Sequence, residues 1–271
     1  MLEFEKMLEA GVHFGHLKRK WNPKMAPYIF TEHNGMHIID LYKTAAKAEE
    51  ASAALKQIAK SGKQILFVAT KKQAKNIVAD IVKGTNMPYV TERWPGGMLT
   101  NFLTIRKAVR KMGDLEKLLN NKDNNSISKR ERLQITREKA KLEKNLGSIA
   151  GLNRLPAALF VVDINKEHIA VAEAKRLNIP TFAIVDTNCN PDIVDFPIPG
   201  NDDASKSISL IIEYMCKAIE EGMHERKLDK EAQVEGIEKE SKEIPTTEEN
   251  GEKTIRRRPR KVMAKKITDK E

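Results

Sequence analysis

The chain has 271 residues, 40% of them apolar, 32% charged and only 5% aromatic, with a formal net charge of +10. That is enough apolar mass for one sizeable core with appendages, and no run approaches the roughly 20 consecutive apolar residues of a bilayer span. The acidic start MLEFEKMLEA is not the basic lead-in of a signal peptide, and Cys189 and Cys216 lie far apart without CxxC spacing, so the expectation is a cytoplasmic protein with reduced thiols.

In chain order, the first notable stretch is AGVHFGHLKRKWNPKM, which sets His13 and His16 beside Lys18, Arg19, Lys20, Trp21 and Lys24. The four basic residues are candidates for neutralising phosphates. The two histidines could share a metal with carboxylates, or simply pack and hydrogen-bond. Asp40 is a natural N-cap for a helix running to Ser61, with Gly62 as its terminator. QILFVAT at 64–70 suits a strand buried on both faces, followed by a helix with apolar spacing at Ala74, Ile77, Val78 and Ile81 and a stop at Gly84.

The turn between them reads Lys71-Lys72-Gln73. It has no phosphate-wrapping glycines, and neither GxGxxG nor GxxxxGK[ST] occurs in the chain, which argues against a dinucleotide enzyme. Two lysines at a helix start oppose the macrodipole, so an RNA phosphate docked there competes with a merely solvated pair. PYVTE at 88–92 is the next strand. After Arg93, a further candidate for RNA contact, comes WPGGMLTN at 94–101, either a hinge or a close backbone approach to a phosphate.

From about Thr100 to Gly147, apolar residues recur at three, four and seven, as in Phe102, Ile105, Val109, Met112 and Leu119, then Ile135, Leu142 and Ile149. This predicts an antiparallel helical hairpin turning at NNKDNNS, 120–126, with too little apolar face for its own core. It is therefore expected to project as an arm. Arg106, Lys107, Arg110 and Lys111 on its first helix and Arg130, Arg132, Arg137, Lys139, Lys141 and Lys144 on its second are the clearest nucleic-acid signal. With few aromatics for base stacking, recognition of folded RNA by shape and phosphate fits best.

PAALFVVDI at 156–164 and IPTFAIVD at 179–186 read as strands flanking a helix, and a last helix runs from about Ser205 to Glu221. The alternation predicts an α/β fold, a Rossmann-like or flavodoxin-like three-layer sandwich around a mainly parallel sheet. Asp163 and Asp186 end strands, where a nucleotide- or phosphate-binding enzyme would keep them, or where they would cap turns. Beyond Met223 the chain is charged and low in apolar residues, which predicts disorder. The expected division is a sheet domain of 1–101 and 148–222, a coiled-coil arm of 102–147 and a tail of 223–271.

The net charge is a sum of unlike blocks: +6 for residues 1–105, +8 for 106–154, −6 for 155–224, −4 for 225–250 and +6 for 251–271. Such segregation assigns a polyanion to some faces and leaves others for proteins or solvent.

Six stretches taken together resemble the bacterial small-subunit ribosomal protein S2 family: LEAGVHFGHLKRKWNPKMAPYIF (8–30), HIIDLYKT (37–44), ILFVATKKQA (65–74), ERWPGGMLTNF (92–102), LPAALFVVDINKEHIAVAEAKRLNIP (155–180) and FAIVDTNCNPDIVDFPIPGNDDASKSI (182–208). The resemblance implies a ribosome-bound, non-catalytic protein with a protruding coiled-coil arm. Its expected place is on 16S ribosomal RNA at the junction of head and body of the small subunit. Its expected protein partners are other small-subunit proteins, including the large mRNA-binding first protein, with no homo-oligomer. No cofactor is required, but a zinc ion associated with the family would fall on His16, Asp186, Asp202 and Asp203.

Overall fold

The computed structural model describes residues 2–120 and 128–242. A short helix α1 (Phe4–Glu9) leads into a small antiparallel sheet of β1 (Phe14–Leu17), β2 (Ile29–His33) and β3 (Met36–Ile39), in the order β1-β3-β2. Asn34 and Gly35, with φ of 51° and 74°, form the two-residue turn between β2 and β3, the kind of Asn-Gly pair whose positive φ matches strand twist. Helix α2 (Leu41–Lys60) starts where expected, its N-cap Asp40 accepting the Tyr42 N–H at 3.0 Å.

The main sheet follows. β4 (Ile65–Val68) passes through α3 (Lys72–Gly84) to the short β5 (Tyr89–Val90), and α4 (Phe102–Asn120) and α5 (Lys129–Leu146) are inserted before β6 (Ala158–Val162). Then come α6 (His168–Arg176), β7 (Thr181–Val185), β8 (Phe196–Pro199) and α7 (Ser205–Lys242). The five strands are all parallel, in the order β5-β4-β6-β7-β8. Counted along the chain this is 2-1-3-4-5, the flavodoxin-like order, with its switch point between β4 and β6. The sequence expectation of an α/β sandwich is met.

Strand alternation divides the interior. Ile65 and Phe67 of β4, Phe160 of β6 and Phe182 of β7 face α2, α3 and α7, meeting Leu55, Val78, Ile208 and Met215. Leu66 and Val68, with Leu159, Val161 and Val185, face α6 and the roots of α4 and α5, meeting Val171, Trp94, Met98, Ile149 and Leu152. Phe67, Phe160 and Phe182 have no exposed surface, and each such ring contributes about 1.5–3 kcal/mol by leaving water.

Sequence reading missed β8, which carries Pro197 and Pro199. It is the edge strand next to β7, the place in a sheet where proline is tolerated because one side makes no ladder bonds.

Helices α4 and α5 run antiparallel and are tied by Lys111–Glu138 (2.5 Å) and Lys139–Glu116 (2.9 Å). The turn expected at 120–126 falls, after Asn120, outside the described residues. Helix α7 runs past the expected stop at Glu221 and continues to Lys242. Gly222 lets α7 touch α2 instead of ending it, for a Cβ there would lie 2.4 Å from the Lys56 carbonyl oxygen. Lys56 and Lys60 of α2 extend the contact, pairing with Glu221, Glu225 and Asp229 of α7. One compact unit ends at Lys230. The tail expected to be disordered lies, from 243 onward, outside the described residues.

Candidate nucleic-acid interface and internal ion cluster

The carboxyl edge of the parallel sheet, where an α/β protein usually holds its ligand, is filled by the chain's own charges. Lys71 follows β4, Asp163 follows β6, Asp186 follows β7, and Asp202 and Asp203 follow β8. The Lys71 ammonium lies 2.8 Å from Asp202, 2.6 Å from Asp203 and 3.5 Å from Asp163, and the residue is only 9% exposed. Burial alone would lower its pKa, but the hydrogen bonds and charges of these carboxylates reverse the effect and keep it cationic. The anions that meet Lys71 are thus the chain's own carboxylates, neither a docked phosphate nor solvent. Lys71 is withdrawn as an RNA contact, whereas Lys72 beside it is exposed.

His16, on β1, joins the same cluster. Its Nδ1 lies 2.8 Å from the buried Asp186 and its Nε2 3.4 Å from Asp203. The Asp186 hydrogen bond raises the imidazole pKa, against burial and with help from the charges of Asp186, Asp202 and Asp203. Asp202 has no exposed surface, and burial, together with Asp186 and Asp163, pushes it up to about 7 in spite of Lys71. One oxygen of Asp202, Oδ2, is buried without a hydrogen-bond partner. Donor atoms of His16, Asp186 and Asp202 all lie within 4.8 Å of one another. At the level of donor placement the group can hold an ion, although one imidazole among carboxylates is an uncommon set for zinc, and the Lys71 cation already occupies one side.

The strand-end aspartates carry no catalytic arrangement. Asp163 accepts the N–H groups of Asn165 and Lys166 at 3.0 and 3.2 Å, closing the turn into α6. Asp186 is committed to His16 and to Thr187. Cys189, the nearest thiol, is fully buried, and burial pushes it up to about 12 with the charges of Asp163 and Asp202 adding to the effect. A thiol so far from its thiolate is inert at neutral pH.

The Trp94–Asn101 loop also finds an internal anion. Glu173 of α6, 8% exposed, accepts from Trp94 Nε1 (3.1 Å) and from the backbone N–H groups of Gly97 (2.8 Å), Leu99 (2.9 Å) and Thr100 (3.0 Å). The Thr100 hydroxyl adds a fifth bond at 3.1 Å. The N–H groups of Gly97, Leu99 and Thr100 are thus taken by Glu173 and those of Met98 and Asn101 by backbone carbonyls, which favours the hinge reading over the phosphate one. Sequence reading missed Glu173 altogether, because it lies in an ordinary amphipathic helix 79 positions from Trp94.

The remaining basic residues are on the surface. Lys18, Arg19, Lys20, Lys24, Lys72, Arg93, Lys107, Arg110, Lys111, Arg130, Arg132 and Arg137 are exposed. Lys18 already pairs with Glu32 and Lys24 with Asp192. Arg106 is different: half-buried, it donates from Nη1 to the Leu152 carbonyl at 2.9 Å and braces the root of the arm. The exposed basic residues thus lie on α4 and α5, around β1, and at Lys72 and Arg93, with Lys20 near enough to the acidic sheet edge to act on Asp203.

A family model described as ribosomal protein S2 matches residues 7–222. The chain belongs to the ribosomal protein S2 family. The small ribosomal subunit protein uS2 of Phocaeicola vulgatus is 67% identical over 227 residues, covering 84% of this chain and 81% of the relative. That of Flavobacterium johnsoniae is 62% identical over 250 residues, covering 92% and 98%. The S2 family is structural, so the chain is a ribosomal protein and not an enzyme, which removes the phosphate-binding enzyme alternative. No helix among the described residues is long and apolar enough to cross a membrane.

Proposed function

We propose that this S2-family chain is a structural part of the small ribosomal subunit in the cytoplasm, binding 16S ribosomal RNA at the junction of head and body. In this reading it also contacts neighbouring small-subunit proteins and helps to anchor the large mRNA-binding first protein. The sheet domain is the body, the pair α4 and α5 is the RNA-facing coiled-coil arm, and the residues after α7 form a charged tail. The observation that carries the RNA assignment is the segregation of charge. Residues 106–154 hold 14 Lys and Arg against 6 Asp and Glu, and apart from Arg106 and Lys139 the candidates there are exposed. Solvation alone gives no reason for such an excess, whereas phosphate neutralisation does.

Binding of the full chain to 16S ribosomal RNA over a range of salt concentrations tests this. Replacing Arg110, Arg130 and Arg137 by Ala reduces the slope of log affinity against log salt by about one for each phosphate that is no longer neutralised. An unchanged slope would reduce the arm to a solvated face.

The unpartnered Oδ2 of Asp202 supports a second, smaller reading. His16, Asp186 and Asp202, with Asp203 beside them, would hold a zinc ion whose role is structural, fastening β1 to the sheet edge. Elemental analysis of the purified protein and of His16→Ala decides it: loss of zinc in the variant is expected, and equal zinc in both removes His16 as a ligand.

A further inference from the structure

We propose that Glu173 is the positioning residue that fixes the direction of the α4–α5 pair relative to the sheet. The polypeptide leaves the sheet after β5 through a segment with neither helix nor strand. Inside that segment only two backbone bonds are local, Met98 N–H to the Pro95 carbonyl and Asn101 N–H to the Gly97 carbonyl. Trp94, Met98 and Leu99 are nearly fully buried, so the Trp94 indole N–H and the Leu99 backbone N–H cannot turn to water, while Gly97 and Thr100 are partly open to it. A buried N–H left without a partner is costly, and one carboxylate supplies the partners. Its Oε1 takes Trp94 and Gly97 and its Oε2 takes Leu99 and Thr100.

Two features make this carboxylate a determinant of geometry as well as of stability. It comes from α6, which is packed on the sheet by Ala170, Val171 and Ala174, so the loop is referenced to the sheet. It also stops one residue short of the Asn101 and Thr104 turn that opens α4, so the helix axis is set where the helix begins. Gly97, at φ 83°, allows three donors to converge within four residues. The five bonds hold the carboxyl below its ordinary pKa although burial pushes the other way.

The chain just after the second leg is tied differently, by Ser148 to the Tyr89 carbonyl, and Arg106 of the first leg bonds the Leu152 carbonyl beyond it. Without the Glu173 bonds, the start of the first leg keeps only the Arg106 bond and the packing of Phe102, Ile105 and Val109, and the direction of the pair loosens. Gln is the discriminating substitution. It keeps the volume, but its amide NH2 turns donors toward donors and leaves one oxygen to serve five partners.

Nitroxide labels on the full chain at Ala46→Cys of α2 and Ala140→Cys of α5, both exposed, read the arm-to-body distance. Cys189 and Cys216 are buried and stay unlabelled. A body pair, Ala46→Cys with Asp80→Cys, is the control. With Glu173→Gln the arm-to-body distribution broadens while the body pair stays narrow. The amides of Gly97, Leu99 and Thr100 exchange about tenfold faster or more, the scale expected for losing hydrogen bonds to a charged acceptor.

Unchanged arm width, or equal broadening of both pairs, overturns the proposal. Should Glu173→Gln not fold, Trp94→Phe and Thr100→Val each remove one side-chain donor and must broaden the arm distribution alone, or the proposal fails. The importance of arm direction for RNA rests on the function proposed above. These measurements use no RNA, so the two ideas fail separately.

Discussion

Replacing Lys71 by Met separates a structural lysine from a ligand-binding one. Met keeps the buried stem but removes the cation that lies within 2.8 Å of Asp202 and 2.6 Å of Asp203. Asp203 is half-exposed and water can compensate it, so most of the loss comes from Asp202, whose side chain has no exposed surface. Breaking a buried ion pair by removing one partner costs about 3–5 kcal/mol when the other charge is left uncompensated; Asp202, pushed up to about 7 even beside Lys71, takes up a proton at neutral pH once the cation is gone, so the full cost is expected only in alkaline solution. Against a total stability of roughly 5–15 kcal/mol this is a large fraction.

Urea unfolding of the full chain in alkaline solution, with chelator present so that no bound metal contributes, measures it. The midpoint falls by about 1–2 M for a slope near 2–3 kcal/mol per molar. Asp202→Asn added to Lys71→Met recovers part of the loss, giving a coupling that a double-mutant cycle isolates. A loss below about 1 kcal/mol, the worth of an exposed ion pair, would refute the internal-cluster reasoning and restore Lys71 as a candidate RNA contact.

Two further outcomes follow from packing and from charge. Gly222→Ala destabilises by about 1–3 kcal/mol in thermal or urea unfolding, because its Cβ would meet the Lys56 carbonyl oxygen at 2.4 Å and the Ala59 Cβ at 3.2 Å; a neutral result would mean that α2 and α7 are free to separate. Glu173 has a depressed pKa in the folded state, so its contribution to stability is present above the unfolded value of 4.5 and disappears as pH falls through the folded value. The stability gap between the wild type and Glu173→Gln is therefore constant from pH 6 to 8 and closes only below about 4.5; a gap that closed near neutrality would contradict the assignment.

The main sheet was legible because β4, β6 and β7 are buried on both faces and read as unbroken apolar runs. β8 was not, since its prolines disguise an edge strand. The small sheet was not either: of its strands only β3 alternates in burial, and β2 is almost wholly exposed after Ile29. Asn34-Gly35 was the one local signal for it. At the candidate site, sequence identified the features that demand an opposite charge, Lys71 and the Trp94–Asn101 loop, but not their partners. Those partners are 131 and 79 positions away, and a chain pattern that specifies which side chain is charged does not specify which fold neighbour answers it. The exposed arm needed no distant partner, so its charge was readable directly, except at Arg106, where a backbone carbonyl of the returning leg claims the guanidinium.

Membership of the small subunit through RNA contact is tested most directly by sedimenting cell lysate through sucrose gradients at high and low magnesium and detecting the chain in each fraction. The chain is expected to travel with small subunits at low magnesium and with whole ribosomes at high magnesium. Recovery only in the soluble fraction under both conditions would contradict that membership.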